Sequence, residues 1–459
     1  MPEASPSAVE PPPPAPTHRR ATWKFNLVVA LISILTPIGI VAALILAPIW
    51  DGPPPDDEDM FWERELVPKD ENGFELLLAA FALLDADNLN TPLWFTAPDE
   101  HREDIQRKLA ANEAFFEALE TALAKGRLQS PPLDFAYPED YSLYYSESMG
   151  SALLLRLAAQ EAANPMEAQK YVMMGYELGN QLLRNSFMLT EVLGRIANCS
   201  IANQSVLHQA RNPETPTEHL WHFLSMLTEN PISKRTWKNA IRMEYQALDY
   251  LLTNFRQEAE NWLMEDMGAW YKTISFSYQP NNTRRIALMS YRNAIQTLET
   301  GNLEFQINSD RFASDLWKEI SSRQKWDPRR YHNITGKKTI MALLPGLDGF
   351  VNQAFRQQAE NRATILVTAL QLHLREQGEL PQSLQDLVPA YLAEIPEDPY
   401  DGQPFRYDRD KAIVYAIGEN LVDNGGSTKM RGSPRTPSRS GAEDFVFGIL
   451  APIDFTAGD

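Results

Sequence analysis

The stretch Phe25–Trp50, FNLVVALISILTPIGIVAALILAPIW, constrains this chain more than any other. It carries no charged side chain and, at about 25 residues, is long enough to cross a ~30 Å hydrocarbon core as a helix. A buried core helix of that length ordinarily keeps a polar face, which this run lacks. Pro37 and Gly39 interrupt it, as membrane helices tolerate. Arg19, Arg20 and Lys24 precede it, and Asp51, Asp56, Asp57, Glu58 and Asp59 follow it. That Lys/Arg bias predicts a cytoplasmic tail and an exported body. The run exceeds a signal-peptide core and lacks a small-x-small cleavage site, so it reads as an uncleaved signal-anchor of a single-pass protein.

The formal net charge of the 459 residues is -19. Residues 1–50 hold three basic side chains (Arg19, Arg20, Lys24) against two acidic ones (Glu3, Glu10), so the negative charge belongs to the body. An acidic body repels phosphate backbones, which argues against nucleic acid as a partner. Cys199 is the only cysteine. It excludes an intramolecular disulfide and Cys-based zinc sites.

The expected fold class is mainly α: an N-terminal transmembrane helix, an antiparallel multi-helix body, and a small C-terminal α+β module of a long helix plus a short antiparallel sheet. Residues 1–24 read as a Pro-rich disordered tail, 25–50 as the span and 51–70 as an acidic, Pro-rich linker. Residues 71–345 read as a helical extracytoplasmic domain, 346–450 as the α+β module and 451–459 as a tail. Ile105, Leu109, Phe116, Leu119 and Leu123 fall at three- and four-residue spacing, predicting one helix closed by Lys125 and Gly126. Similar patterns cover Met149–Ala163, Met166–Asn185, Phe187–Gln209, Thr217–Thr228, Ser233–Glu260, Arg284–Thr300 and Arg311–Ser322, while Lys325–Gly346 reads as an irregular connection. A last long helix runs through Val351, Phe355, Ile365, Ala369 and Leu372 and stops at Gly378. Alternation at Pro404–Asp408 and Ala412–Ile417 predicts two strands, and Phe445–Ile449 a third.

The stretch Leu372–Phe447 carries LPQSLQDLV, then IPEDPYDGQPFRY at Ile395–Tyr407, VYAIGENLVDNGG at Val414–Gly426 and EDFVF at Glu443–Phe447. In order and spacing it resembles the C-terminal half of the major pseudopilin of type II secretion. The whole arrangement is similar to uncharacterised single-anchor bacterial membrane proteins, which implies a bacterial inner (cytoplasmic) membrane location. Pilin-type proteins are cut at a Gly-Phe junction and carry a Glu early in the apolar helix. Here Phe25 follows Lys24, and Val29 stands at the fifth position, so processing and assembly as a pilin subunit are not expected. The resemblance implies a calcium site in the loop before the last strand. By position it falls on Asn420 and Asp444, with Asp423 a further nearby carboxylate; calcium collects six to eight such oxygens. The alternative is a solvated Gly/Asn turn.

Three charged residues interrupt apolar stripes: Arg156 among Leu153–Leu157, Arg195 between Val192 and Cys199, and Glu244 between Ile241 and Leu248. Buried charges must be paired, so Glu244 with Arg195 or Arg156 is the expected structural ion pair. Glu218, His219 and His222 form an E-H-x-x-H string in the wrong order for a zinc protease. No G-x-S-x-G or phosphate loop is evident. Asn281 and Asn333 open N-x-T strings. The basic cluster Arg329, Arg330, Lys337 and Lys338 reads as a solvated loop or as a contact for anionic lipid headgroups. The sequence therefore predicts a membrane-anchored extracytoplasmic interaction or structural protein of a bacterial envelope, with the lipid bilayer and an unknown envelope protein as partners. The alternative is an anchored, hydrolase-like enzyme with a polar site around Arg156, Arg195 and Glu244.

Overall fold

The computed structural model describes residues 51–87, 98–131, 144–185, 189–229, 233–262, 278–301, 333–429 and 443–453, with single positions at Thr36, Phe95 and Lys318. The expected tail 1–24, the apolar run Phe25–Trp50 and the helix expected at Arg311–Ser322 lie outside the described residues, apart from Thr36 and Lys318. Among the described residues, no helix is long and apolar enough to cross a membrane.

The described chain is mainly helical. Its ten helices are α1 (Phe74–Phe81), α2 (Arg102–Ala111), α3 (Glu113–Leu123), α4 (Tyr145–Gln160), α5 (Pro165–Asn185), α6 (Leu189–Arg211), α7 (Thr217–Glu229), α8 (Lys234–Trp262), α9 (Pro280–Thr300) and α10 (Ile334–Gln377). A three-stranded antiparallel sheet in the order β1 (Arg406–Asp408), β2 (Ile413–Ile417), β3 (Asp444–Gly448) follows them.

Local chemistry explains most boundaries. The helix expected across Ile105–Leu123 is two helices, because the fully buried Asn112 interrupts it. Its side chain accepts the Asp85 N–H at 2.9 Å and donates to the Lys108 carbonyl at 2.9 Å. Such local bonding competes with the helix ladder. Proline opens α9, where its missing N–H costs nothing. Gly378, at φ +82°, closes α10 and donates to the Leu374 carbonyl, the left-handed stop that its sequence position predicts.

The strands form where alternation places them. Val414, Ala416, Phe445 and Phe447 face the main core, while Ile413, Tyr415 and Val446 pack on the other face beside Ile453. β2 pairs with β3 from Ile413↔Gly448 to Ile417↔Asp444.

The expected boundary at 345/346 falls inside α10. That helix starts at Ile334, within the stretch expected to be irregular, and packs on α6, α7, α9 and the sheet. Trp237, Tyr245, Phe350, Phe355, Leu370, Val414 and Phe447 share one apolar core. Helical body and sheet are therefore one packed unit. A second core joins α1, α2 and α3 to α4 and α5 through Phe74, Phe115, Leu119, Leu154 and Leu178.

The first part of the segment 51–70, expected as a linker, is also packed. Asp51 accepts the N–H groups of Asn281 and Asn282 at 2.8 and 2.9 Å, so it satisfies orphan donors at the start of α9. Asp57 is buried and accepts the Tyr245 hydroxyl at 2.6 Å and Arg284 at 3.0 Å. Arg284 also pairs with Asp249 on α8. Arg292 pairs with Asp59 and donates to the Asp56 carbonyl at 2.7 Å. Met60 is fully buried, and Gln246 holds the carbonyls of Met60 and Trp62. Residues 51–62 thus form a strap across α8 and α9.

The N-x-T strings are built into the same end. Asn281 donates to the Gly52 carbonyl at 2.8 Å. Asn333 is buried, accepts the Gln279 N–H at 3.0 Å and donates to Thr283 at 2.9 Å.

Candidate functional site

The three charged residues singled out from their apolar stripes do not converge. Arg195 is buried on α6 and donates to Glu191, one turn earlier, at 3.3 Å and to Ser148 Oγ at 3.1 Å. Arg156, on α4, donates to Gln204 Oε1 at 2.6 Å and lies over the Phe95 ring, 4.6 Å from its centre. Glu244 is half-buried on α8. Burial, and after it the Glu244 charge, hold the Tyr291 phenol well above its ordinary range. Neither arginine lies within ion-pair reach of Glu244. The expected Glu244–arginine pair is replaced by an Arg195–Glu191 pair within one helix, because i−4 is the spacing at which helical side chains meet.

Arg156 instead faces a cleft of about 740 Å³ between α2, α4, α6 and the residues after β3. Its polar wall carries Arg102, Arg156, His208 and Arg211, with Glu161 on the same wall and Asp99 beside Arg102 at the rim. Arg102 is on the rim and pairs with Asp99 at 2.5 Å and with Glu161 at 3.5 Å. Arg211 donates to the Gly448 carbonyl at 2.7 Å. The surrounding walls, then the charges of Arg156 and Arg211, hold the His208 imidazole below its ordinary pKa. Desolvation likewise lowers Arg156. Leu207 and Leu450 give the cleft an apolar side. Gln204, His208 and Arg211 stand at i, i+4 and i+7 on α6, a spacing that the sequence alone displays but that no motif marks as a site.

A second polar cluster lies at the sheet. Asp398 is fully buried; one oxygen accepts the Tyr400 N–H at 2.9 Å, the other the Ile417 N–H at 2.8 Å and Arg406 at 2.6 Å. Arg406 also reaches Asp401 at 3.2 Å and Asp423 at 3.4 Å. Burial outweighs the backbone donors and pushes the Asp398 carboxyl up to about 6. A cleft of about 630 Å³ opens beside this cluster, with Lys234 and Arg362 on its wall. The sequence marks Asp398 and Arg406 only as part of the pseudopilin-like run.

The residues proposed for calcium lie in and beside the loop between β2 and β3. Asp444 is fully buried and accepts the N–H groups of Asn424, Gly426 and Ser427 at 3.2, 2.8 and 3.0 Å. Those donors favour its charged form while burial raises its pKa, and burial is the larger effect. Asp423 accepts the Gly425 N–H at 3.0 Å and the Tyr415 hydroxyl at 3.2 Å. The Asn420 side chain accepts the Val422 N–H at 3.2 Å and donates to Asn424 at 2.9 Å. The turn needs Gly426: its φ is +74°, and a Cβ there would stand 2.6 Å from Ile413 Cδ1. The oxygens of all three residues thus meet hydrogen-bond donors of the chain. Among the described residues no group of three or more His, Cys, Asp or Glu side chains is placed to hold a metal ion. In the E-H-x-x-H string His219 is buried, while His222 contacts Gln169 at 2.7 Å.

No protein-family model, no curated protein and no solved structure matches this chain.

Proposed function

We propose that the chain is a membrane-anchored, extracytoplasmic interaction or structural protein of a bacterial envelope, with its body held flush against the bilayer. The observation that carries this reading is the position of Asp51. It directly follows the apolar run, and its carboxylate is fixed on the first turn of α9. With Phe25–Trp50 as the span, no slack separates anchor from fold, and the end of the body that holds Asp51, Asn281 and Asn333 faces the lipid. A strap secured by Asp57–Arg284 and Asp59–Arg292 suits a protein that presents one fixed face to envelope partners. The hydrolase-like alternative loses its motivation, since Arg156, Arg195 and Glu244 occupy separate surroundings.

Two measurements test the reading. A reporter active only outside the cytoplasm, fused after Asp459, should be active; activity of a cytoplasm-only reporter there overturns the orientation. Cys199 is buried, so one added surface cysteine can be labelled selectively. A fluorophore at Lys338→Cys, near the start of α10, should be quenched by headgroup-labelled lipid. One at Gln382→Cys, past its far end and about 60 Å away along a 1.5 Å rise, should not. Equal quenching at both positions rejects the flush arrangement.

A further inference from the structure

We propose that the cleft between α2, α4 and α6 binds a small organic oxyanion, a carboxylate or phosphate group carried on an apolar body, with Arg156 as the principal cation. In a chain of net charge -19, this cleft holds Arg102, paired with Asp99 and Glu161, beside Arg156, whose contacts are neutral. A guanidinium without a paired carboxylate in so acidic a protein attracts anions to that spot.

Arg156 is the residue that points to a ligand. Its side chain is half-buried, and a guanidinium withdrawn from water calls for a counter-charge. Among the described residues no carboxylate lies within ion-pair distance of it. Among the described residues its partners are the neutral Gln204 amide and the Phe95 ring, and its buried Nε–H has no acceptor. The residues flanking Phe95 in sequence, Asn88–Trp94, Thr96 and Ala97, include no acid. Gln204 and Phe95 fix the plane of the guanidinium without neutralising it, which leaves a preoriented fork for a planar or tetrahedral oxyanion. His208 stands on the same wall as a further polar contact, and Leu207 and Leu450 offer surface to the apolar remainder of the ligand. A volume of about 740 Å³ admits a molecule well beyond a bare ion.

The test is calorimetric titration of the full-length chain in detergent with phenyl phosphate, benzoate and inorganic phosphate. Saturable binding of phenyl phosphate or benzoate, tighter than that of inorganic phosphate, is expected, and the tighter of the two assigns the acid group. Arg156→Gln should weaken it about tenfold or more, the loss of one charge-assisted contact. Arg102→Glu, on the exposed rim, should weaken it without touching the packed interior. Ala451→Trp should block it by filling the mouth while leaving every cation in place. No saturable binding of any probe overturns the proposal, as does binding that survives both Arg156→Gln and Arg102→Glu unchanged. Loss of thermal stability in Asp454→Asn, with no probe bound by the native chain, assigns the cation to the chain's own tail and overturns it too.

Discussion

Arg195 and Glu191 lie one turn apart on α6 and meet at 3.3 Å, with the guanidinium buried. Glu191→Ala should therefore leave a buried cation unpaired and cost about 3 kcal/mol. Glu244→Ala leaves that pair intact and should cost less than half as much. Denaturant unfolding of the two variants checks this; equal losses would mean that Arg195 draws on Glu244 after all.

The strap depends on Arg284, which joins Asp57 to Asp249. Arg284→Ala places two largely buried carboxylates beside each other without a cation. The expected cost is about 3–5 kcal/mol, seen as a lower melting temperature together with new protease cleavage near Pro53–Pro55. A variant that melts lower but resists cleavage there would show that the strap is held by Met60 and the remaining bonds alone.

The Asp398 carboxyl gives a pH signature. Burial raises its folded-state pKa from the ordinary 3.8 to about 6. Its contribution is then fully present below about pH 4 and is lost as pH rises through about 6. The stability advantage of the native chain over Asp398→Asn should accordingly grow as pH falls from about 7 to about 4. His208, depressed by its surroundings, has the opposite sign: protonation below its ordinary 6.5 destabilises the fold. It titrates in both proteins and cancels in the difference. A constant or shrinking advantage would show that Arg406 keeps Asp398 ionised.

At the β2–β3 loop, Asp444→Ala removes the acceptor of three backbone N–H groups. The expected loss is about 2–3 kcal/mol, since orphaned donors lose their partner without regaining water. The loss should be the same in calcium and in chelator. A gap between native and variant that opens only with calcium would return the loop to the cation role that its pseudopilin-like sequence implies.

The sequence disclosed what neighbouring residues decide. The strands expected at Ala412–Ile417 and Phe445–Ile449 form at Ile413–Ile417 and Asp444–Gly448, and α10 stops at Gly378, before Pro381, as expected. The Arg195–Glu191 pair stands at i−4 in the sequence, but the apolar stripe around Arg195 points equally to a partner on another helix. What stayed hidden depends on distant chain. Pro345 and Gly346 look like punctuation, but packing on α6, α7, α9 and the sheet carries α10 through them. The cationic cleft gathers Arg102, Arg156 and Arg211 from three helices, and no spacing rule links them.

The strap also orders events during synthesis. Asp57 leaves the ribosome 227 residues ahead of Arg284, and Asp59 is 233 ahead of Arg292. Through that interval Asp57 and Asp59 lack the arginines they pair with in the folded chain. Its acidic, proline-rich composition suits the wait, because such a stretch neither collapses nor adds to a stray sheet edge. Closure of the strap over α8 and α9 thus waits until α9 has been made. The charges that resemble a spacer in the sequence serve the nascent chain first and the folded one afterwards.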